Sequence, residues 1–207
     1  MVVADEELHR AWAAGDESAG QRLFDRYFQP LYLFFFNKLS DGIEDLIQET
    51  FLACVEGREG FRGEASFRTF VFAVARNRLY KRWRRYERHG ARIDFGLTSV
   101  ADLGRTPSSV AASREEHNVL LVGLQRIPMD LQVALELYFW EEFTAAEIAS
   151  VLDIPEGTAR SRVRRGRELL LRELEQLGEA PLADAAIARD LRAWAVEIRA
   201  KLGGGGK

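Results

Sequence analysis

The stretch TAAEIASVLDIPEGTARSRVRRGREL, Thr144 to Leu169, decides the fold. Thr144 followed three residues later by Glu147 has the form of a capping box, so a helix starts there. Ile148, Ala149 and Leu152 make its buried face, and Ala149 is small where a second helix must cross closely. Asp153 to Pro155 supplies a tight turn with Ile154 as its plug, and Pro155 suits the first turn of a second helix. In that helix Ala159 and Val163 face inward, while Thr158, Arg160, Ser161, Arg164 and Arg165 face outward. This is the pattern of a helix-turn-helix whose second helix offers Arg to guanine edges or phosphates, and Ser or Thr to either. An ordinary helical hairpin could also carry a solvated Arg face. The joint occurrence of capping box, small residue, turn and basic second helix favours DNA binding.

The charge along the rest of the chain points the same way. The net charge is only -3, yet residues 1 to 60 hold twelve Asp or Glu against five Arg or Lys. Residues 61 to 92 hold ten basic residues against two acids, and residues 160 to 172 hold six Arg against Glu168 alone. Two local positive patches inside an acidic protein indicate two separate polyanion contacts. The first patch centres on ARNRLYKRWRRYER, residues 75 to 88. There Phe72, Leu79, Trp83 and Tyr86 fall on one helical stripe, so the aromatics belong to the core or its margin. Arg78, Arg82 and Arg85 share another face, flanked by Lys81, Arg84 and Arg88.

Helical periodicity dominates, and nothing reads as an alternating strand. Leu23, Phe24, Tyr27, Phe28 and Leu31, then Leu46, Ile47, Thr50, Phe51 and Cys54, recur at spacings of three and four. Glycines punctuate a loop at 57 to 63 before the pattern resumes at Phe67. From His89 to about Ser113 periodicity fades, which predicts a linker longer than most connections inside a domain. The expected fold is all-α, with two small helical domains at 1–88 and 114–177 joined by a flexible linker at 89–113. The extension 178–207 carries a helix with Ile187, Leu191, Trp194, Ile198 and Leu202 on one stripe, then a disordered GGGGK tail.

Other functions lack their chemistry. His9, His89 and His117 lie far apart, with no metal-ligand spacing to Cys54 or to each other, so no metal and no cofactor is expected. GREGFRG joins two helices instead of following a strand, unlike a phosphate-cradling loop. Cys54 sits on an apolar stripe as a buried structural thiol, without a partner for an intrachain disulfide. No apolar run reaches the roughly 18 residues needed to span a bilayer, and no secretory signal opens the chain, so a cytoplasmic protein without membrane insertion is expected.

With these motifs in place, the chain resembles bacterial RNA polymerase sigma factors of the sigma-70 family, of the extracytoplasmic-function (ECF) type. The likeness covers about residues 15 to 177 in two blocks in the family's order. The first runs through GDESAGQRLFDRYFQPLYLFF, IEDLIQETFLACVE and FRGEASFRTFVFAVARNRLYKRWRR. The second is LQRIPMDLQVALELYFWEEFTAAEIASVLDIPEGTARSRVRRGRELLLREL. These correspond to the sigma-2 and sigma-4 domains, and no room is left for a sigma-3 domain.

The resemblance implies association, not catalysis. Glu44, Asp45, Gln48, Glu49 and Phe51 fall where the family docks on the clamp helices of the polymerase beta-prime subunit, and the sigma-4 domain is expected on the beta flap. Phe61, Arg62, Gly63, Glu64, Ser66 and Phe67 match the loop that captures a base turned out of the -10 element. Asn77 matches a characteristic Asn beside it, with Arg78, Lys81, Arg84 and Arg85 toward the same DNA. Thr158, Arg160, Ser161, Arg164 and Arg165 match positions that read the -35 element. Core polymerase, promoter DNA and an anti-sigma factor are the implied partners. Lys81 stands where many relatives have Asp, Gln132 where Arg is common, and Ala73 and Val74 where housekeeping sigmas carry a Trp pair. The runner-up reading is a helix-turn-helix regulator acting without polymerase.

Overall fold

The computed structural model describes residues 3–57, 66–85, 93–103, 115–177, 191–193 and 196. Among them the chain is built of α-helices: α1 (Asp5–Ala13), α2 (Glu17–Phe36), α3 (Ile43–Gly57), α4 (Phe67–Arg85), α5 (Glu115–Arg126), α6 (Met129–Phe139), α7 (Ala145–Leu152) and α8 (Glu156–Gln176). Tyr86 lies outside the described residues, as does most of the expected C-terminal helix.

Local chemistry sets the starts. The Asp16 carboxylate accepts the Ala19 N–H at 3.2 Å and caps α2. The Ser66 hydroxyl accepts the Thr69 N–H at 3.1 Å and does the same for α4. Close crossings need small residues: a Cβ on Gly20 would stand 2.5 Å from the Trp12 ring, where α1 meets α2.

The first unit packs α1 on α2 and α3 on α4; the second packs α6 and α7 on α8. Phe67, Phe72, Leu79 and Trp83 of α4 are fully buried, as their stripe predicts. Cys54 is buried as well, and burial pushes its thiol up to about 12.

The two units also pack against each other, α4 lying on α7, and their buried apolar side chains form one continuous cluster. The Phe72 ring meets Phe143 edge-on at 5.3 Å across the boundary. Lys38, at the end of α2, forms a fully buried ion pair with Glu136 of α6. Asn37 and Gln132 donate further hydrogen bonds to the same carboxylate. Burial alone pushes Lys38 down and Glu136 up, and each charge opposes the shift of the other. Gln132, fully buried beside the pair, donates to Glu136 at 3.0 Å without adding a second buried cation.

The middle of the segment between the units, 93–103, has no α-helix, as expected, but it is docked and ends in a short 3-10 helix at Ala101–Leu103. Phe95 stacks on Tyr80 of α4 with centroids 4.1 Å apart, and its carbonyl accepts the Asp130 N–H at 3.0 Å. The Thr98 carbonyl accepts the Met129 N–H at 3.0 Å. The Ser99 hydroxyl accepts the Asp102 N–H at 3.1 Å, and the Asp102 carboxylate accepts the Ser99 N–H at 2.8 Å. The Ser99 hydroxyl also donates to that carboxylate at 2.7 Å, and this bond first, with the one from the Ser99 N–H, holds the Asp102 carboxyl below its usual range. From the C-terminal extension, Leu191 is buried in the shared cluster, and Arg192 and Val196 line a groove together with Arg26 and Pro30 of α2 and with Trp140.

Candidate nucleic-acid interface

The helix-turn-helix is α7, its turn and α8. The capping box is complete: the Thr144 Oγ1 accepts the Glu147 N–H at 3.3 Å, and the Glu147 carboxylate accepts the Thr144 N–H at 2.8 Å. Asp153 closes α7 in the left-handed conformation, φ 54° and ψ 55°. A short polar side chain tolerates that conformation better than a bulky one. Ala159 is fully buried, Ile154 only half-buried, and Pro155 stands as the residue before α8 instead of inside its first turn. Arg160, Ser161, Arg164 and Arg165 are exposed along one side of α8, and Thr158 is half-buried beside them. Arg160 pairs with Glu156, and Arg164 with Glu168 at 2.8 Å, both one helical turn away. Such exposed pairs contribute little stability and yield readily to a phosphate. Arg162 has a different task, pairing with Asp130 of α6 at 2.8 Å.

On α4, Asn77, Lys81, Arg84 and Arg85 are exposed and Arg78 half-buried, so these five side chains share an accessible basic region. Arg84 also covers the Phe95 ring at 5.7 Å. One expectation is corrected. Phe67 is fully buried against His9, Trp12 and Tyr27, so its ring belongs to the core and cannot stack on a base. It lies in the first turn of α4, where packing against α1 and α2 overrides a motif-based placement. Ser66 is half-buried just before that turn, and its hydroxyl caps α4. Phe61, Arg62, Gly63 and Glu64 lie outside the described residues.

On α3, Glu44, Asp45 and Gln48 are exposed and Glu49 half-exposed. Phe51 turns back, its ring stacked on Phe24 at 4.5 Å. Leu52, which the sequence reading passed over, is 59% exposed one turn beyond Gln48. Its place off the stripe of Leu46, Ile47, Thr50 and Cys54 was the available signal. The α3 surface therefore combines acids with one apolar side chain, suited to a partner helix. Arg68 and Arg76, on the same basic helix, were also passed over; half-buried, they bond to groups of the second unit.

Two family models match the chain, sigma-70 region 2 at residues 23–89 and sigma-70 region 4 at 118–177, which together span more than half of it. The chain belongs to the sigma-70 family. Its relatives are of the ECF type, and so is this sigma factor, a transcription initiation factor. It is 28% identical to the ECF RNA polymerase sigma-E factor of Haemophilus influenzae over 186 residues, covering 84% of this chain and 97% of that protein. It is 26% identical to the ECF RNA polymerase sigma factor SigX of Bacillus subtilis over 174 residues, covering 81% and 90%. Among solved structures, CnrH in complex with the cytosolic domain of CnrY shares the fold with a TM-score of 0.63 at 20% identity, over 84% of this chain and 99% of that one. The sigma factor RpoE in complex with the anti-sigma factor NepR from Bartonella quintana gives 0.53 at 22% identity, over 70% and 90%. In this sigma factor region 2 thus comprises α2 to α4, and region 4 runs from within α5 to the end of α8.

Proposed function

We propose that this ECF sigma factor binds core RNA polymerase and directs it to promoters through two tethered DNA contacts. The α8 side bearing Thr158, Arg160, Ser161, Arg164 and Arg165 reads the -35 element from the major groove. The α4 side bearing Asn77, Arg78, Lys81, Arg84 and Arg85, with the loop of Phe61 to Glu64, engages the -10 element and its separated strand. Capture of unstacked bases and phosphate contacts offsets the cost of opening the duplex. Glu44, Asp45, Gln48 and Glu49, joined by Leu52, dock on the beta-prime clamp helices, and region 4 meets the beta flap. The protein works in the cytoplasm; among the described residues no helix is long and apolar enough to cross a membrane. An anti-sigma factor restrains it, by analogy with the solved relatives that are held by such proteins.

The observation that carries this reading is the coexistence, in one chain, of a region-2 helix and a region-4 helix-turn-helix that each present exposed Arg side chains. Run-off transcription with core polymerase across genomic fragments tests it. The chain is expected to confer initiation at defined start sites. Tight DNA binding without initiation would leave a helix-turn-helix regulator instead.

A further inference from the structure

We infer that the cavity bounded by α4, α8 and residues 93–96 binds a small molecule through a diphosphate group. The consequence for DNA rests on the promoter reading above; the binding itself does not.

The cavity encloses about 600 Å³, within the range of small-molecule sites. Charged side chains dominate its wall: Arg76 and Arg84 of α4, Arg162 of α8, Asp94 of the joining segment and Asp130 of α6. Residues 76, 80 and 84 stand four apart and therefore share one face of the helix. Arg76 donates through Nε and one terminal nitrogen to the Val151 carbonyl, at 3.1 and 2.9 Å, which leaves its other terminal nitrogen and its whole charge. Arg84 covers the Phe95 ring at 5.7 Å. Among the described residues no carboxylate pairs with either arginine. Asp130 is satisfied already, accepting from the Tyr80 hydroxyl and pairing with Arg162 at 2.8 Å. Asp94 is exposed and accepts the Gly96 N–H at 2.9 Å. With Arg162 and Asp130 offsetting each other, Arg76 and Arg84 stand against Asp94 alone, and the surplus is positive.

Phosphate is the anion that this donor set fits, since the planar fork of a guanidinium matches two oxygens of one phosphoryl group. A single phosphate is too small for the wall. Residues 76 and 84 are about 12 Å apart along the helix axis, so two linked phosphoryl groups engage both arginines better than one. Depth separates this site from the DNA readers: Arg76 and Arg162 are half-buried, whereas Arg160, Arg164 and Arg165 are exposed along α8. A recessed wall admits a small ligand more readily than a duplex. Of the three cavity arginines only Arg84 is exposed, and it is also assigned to the -10 strand. Bound diphosphate and promoter DNA therefore compete for it.

Titration calorimetry of the full chain with pyrophosphate, ADP and inorganic phosphate at low ionic strength tests the site. Pyrophosphate and ADP are expected to bind one to one, each about tenfold tighter than inorganic phosphate or better. The tighter of the two tells whether an inorganic diphosphate or a nucleotide is the source. Arg84→Gln and Arg162→Gln should each weaken both by about tenfold, the second keeping a donor for Asp130. Asp94→Asn removes a repelling charge and should tighten binding about threefold. Arg172→Gln makes an equal charge change at an exposed position of α8 outside the cavity and should alter nothing. No binding of either diphosphate, inorganic phosphate binding as tightly, or an equal loss from Arg172→Gln overturns the site. At matched ionic strength, pyrophosphate should also displace single-stranded DNA in fluorescence anisotropy. Diphosphate binding without displacement keeps the cavity and overturns the assignment of Arg84 to DNA instead.

Discussion

Phe67 shows how a side chain's environment overrides its motif. Its position matches the base-capturing loop, yet it sits among His9, Trp12 and Tyr27 with no exposed surface. Phe67→Ala should therefore cost about 3–5 kcal/mol in urea unfolding through the cavity it leaves. Promoter binding per folded molecule should remain unchanged, and a selective loss of -10 binding at full stability would return the ring to the DNA. Cys54 is a second case. Burial pushes its thiol up to about 12, so the reactive thiolate is scarce in the native protein at pH 8. Iodoacetamide should label it at a rate set by unfolding, so that native protein resists for hours and denatured protein reacts at once. The burial of Cys54 follows from an apolar stripe that any reader of the sequence can see. That of Phe67 does not, because its neighbours come from α1 and α2, more than 35 residues earlier.

Among the elements, the helix-turn-helix was the most legible because its determinants are local. A cap and its partner three residues apart, a turn and a basic second helix all lie within 26 residues. Removing the cap with Thr144→Ala should destabilise the protein by about 1 kcal/mol, measured as a shift in the urea midpoint. Arg165→Ala should weaken binding to a -35 duplex and lower the salt slope by about one unit if that side chain touches a phosphate. An unchanged slope with relaxed sequence preference would assign it to a base edge. Helix α4 was only half legible. Its aromatic stripe told which side is buried, but Arg68 and Arg76 look like any other member of a basic run until α7 lies beside them. The segment 93–103 was read as plain linker because Phe95 and Val100 are single apolar residues without a period. Phe95 finds its partner Tyr80 on α4, a different element, and Val100 is buried without any local pattern to announce it.

At the scale of the whole molecule, the buried pair of Lys38 and Glu136 links the two units. Glu136→Ala should destabilise the protein by about 3–5 kcal/mol, since it leaves Lys38 buried without its partner. Lys38→Met combined with Glu136→Leu should lose less than Glu136→Ala, because the desolvation of both charges disappears with their attraction, although the buried Asn37 and Gln132 amides lose their acceptor. Equal loss in the two variants, by urea unfolding, would show that packing volume and not charge compensation matters at this site. The amino-acid sequence by itself determined the helical class, the order of the two units, the polarity of each helix and the helix-turn-helix, since these depend on spacings of a few residues. Only the tertiary structure decided which basic residues face solvent and which join α4 to region 4, which aromatics are core, and that the two units close on each other. Those outcomes depend on pairs far apart in the chain, such as Lys38 and Glu136, 98 residues apart, whose charges in the sequence look no different from those on a surface.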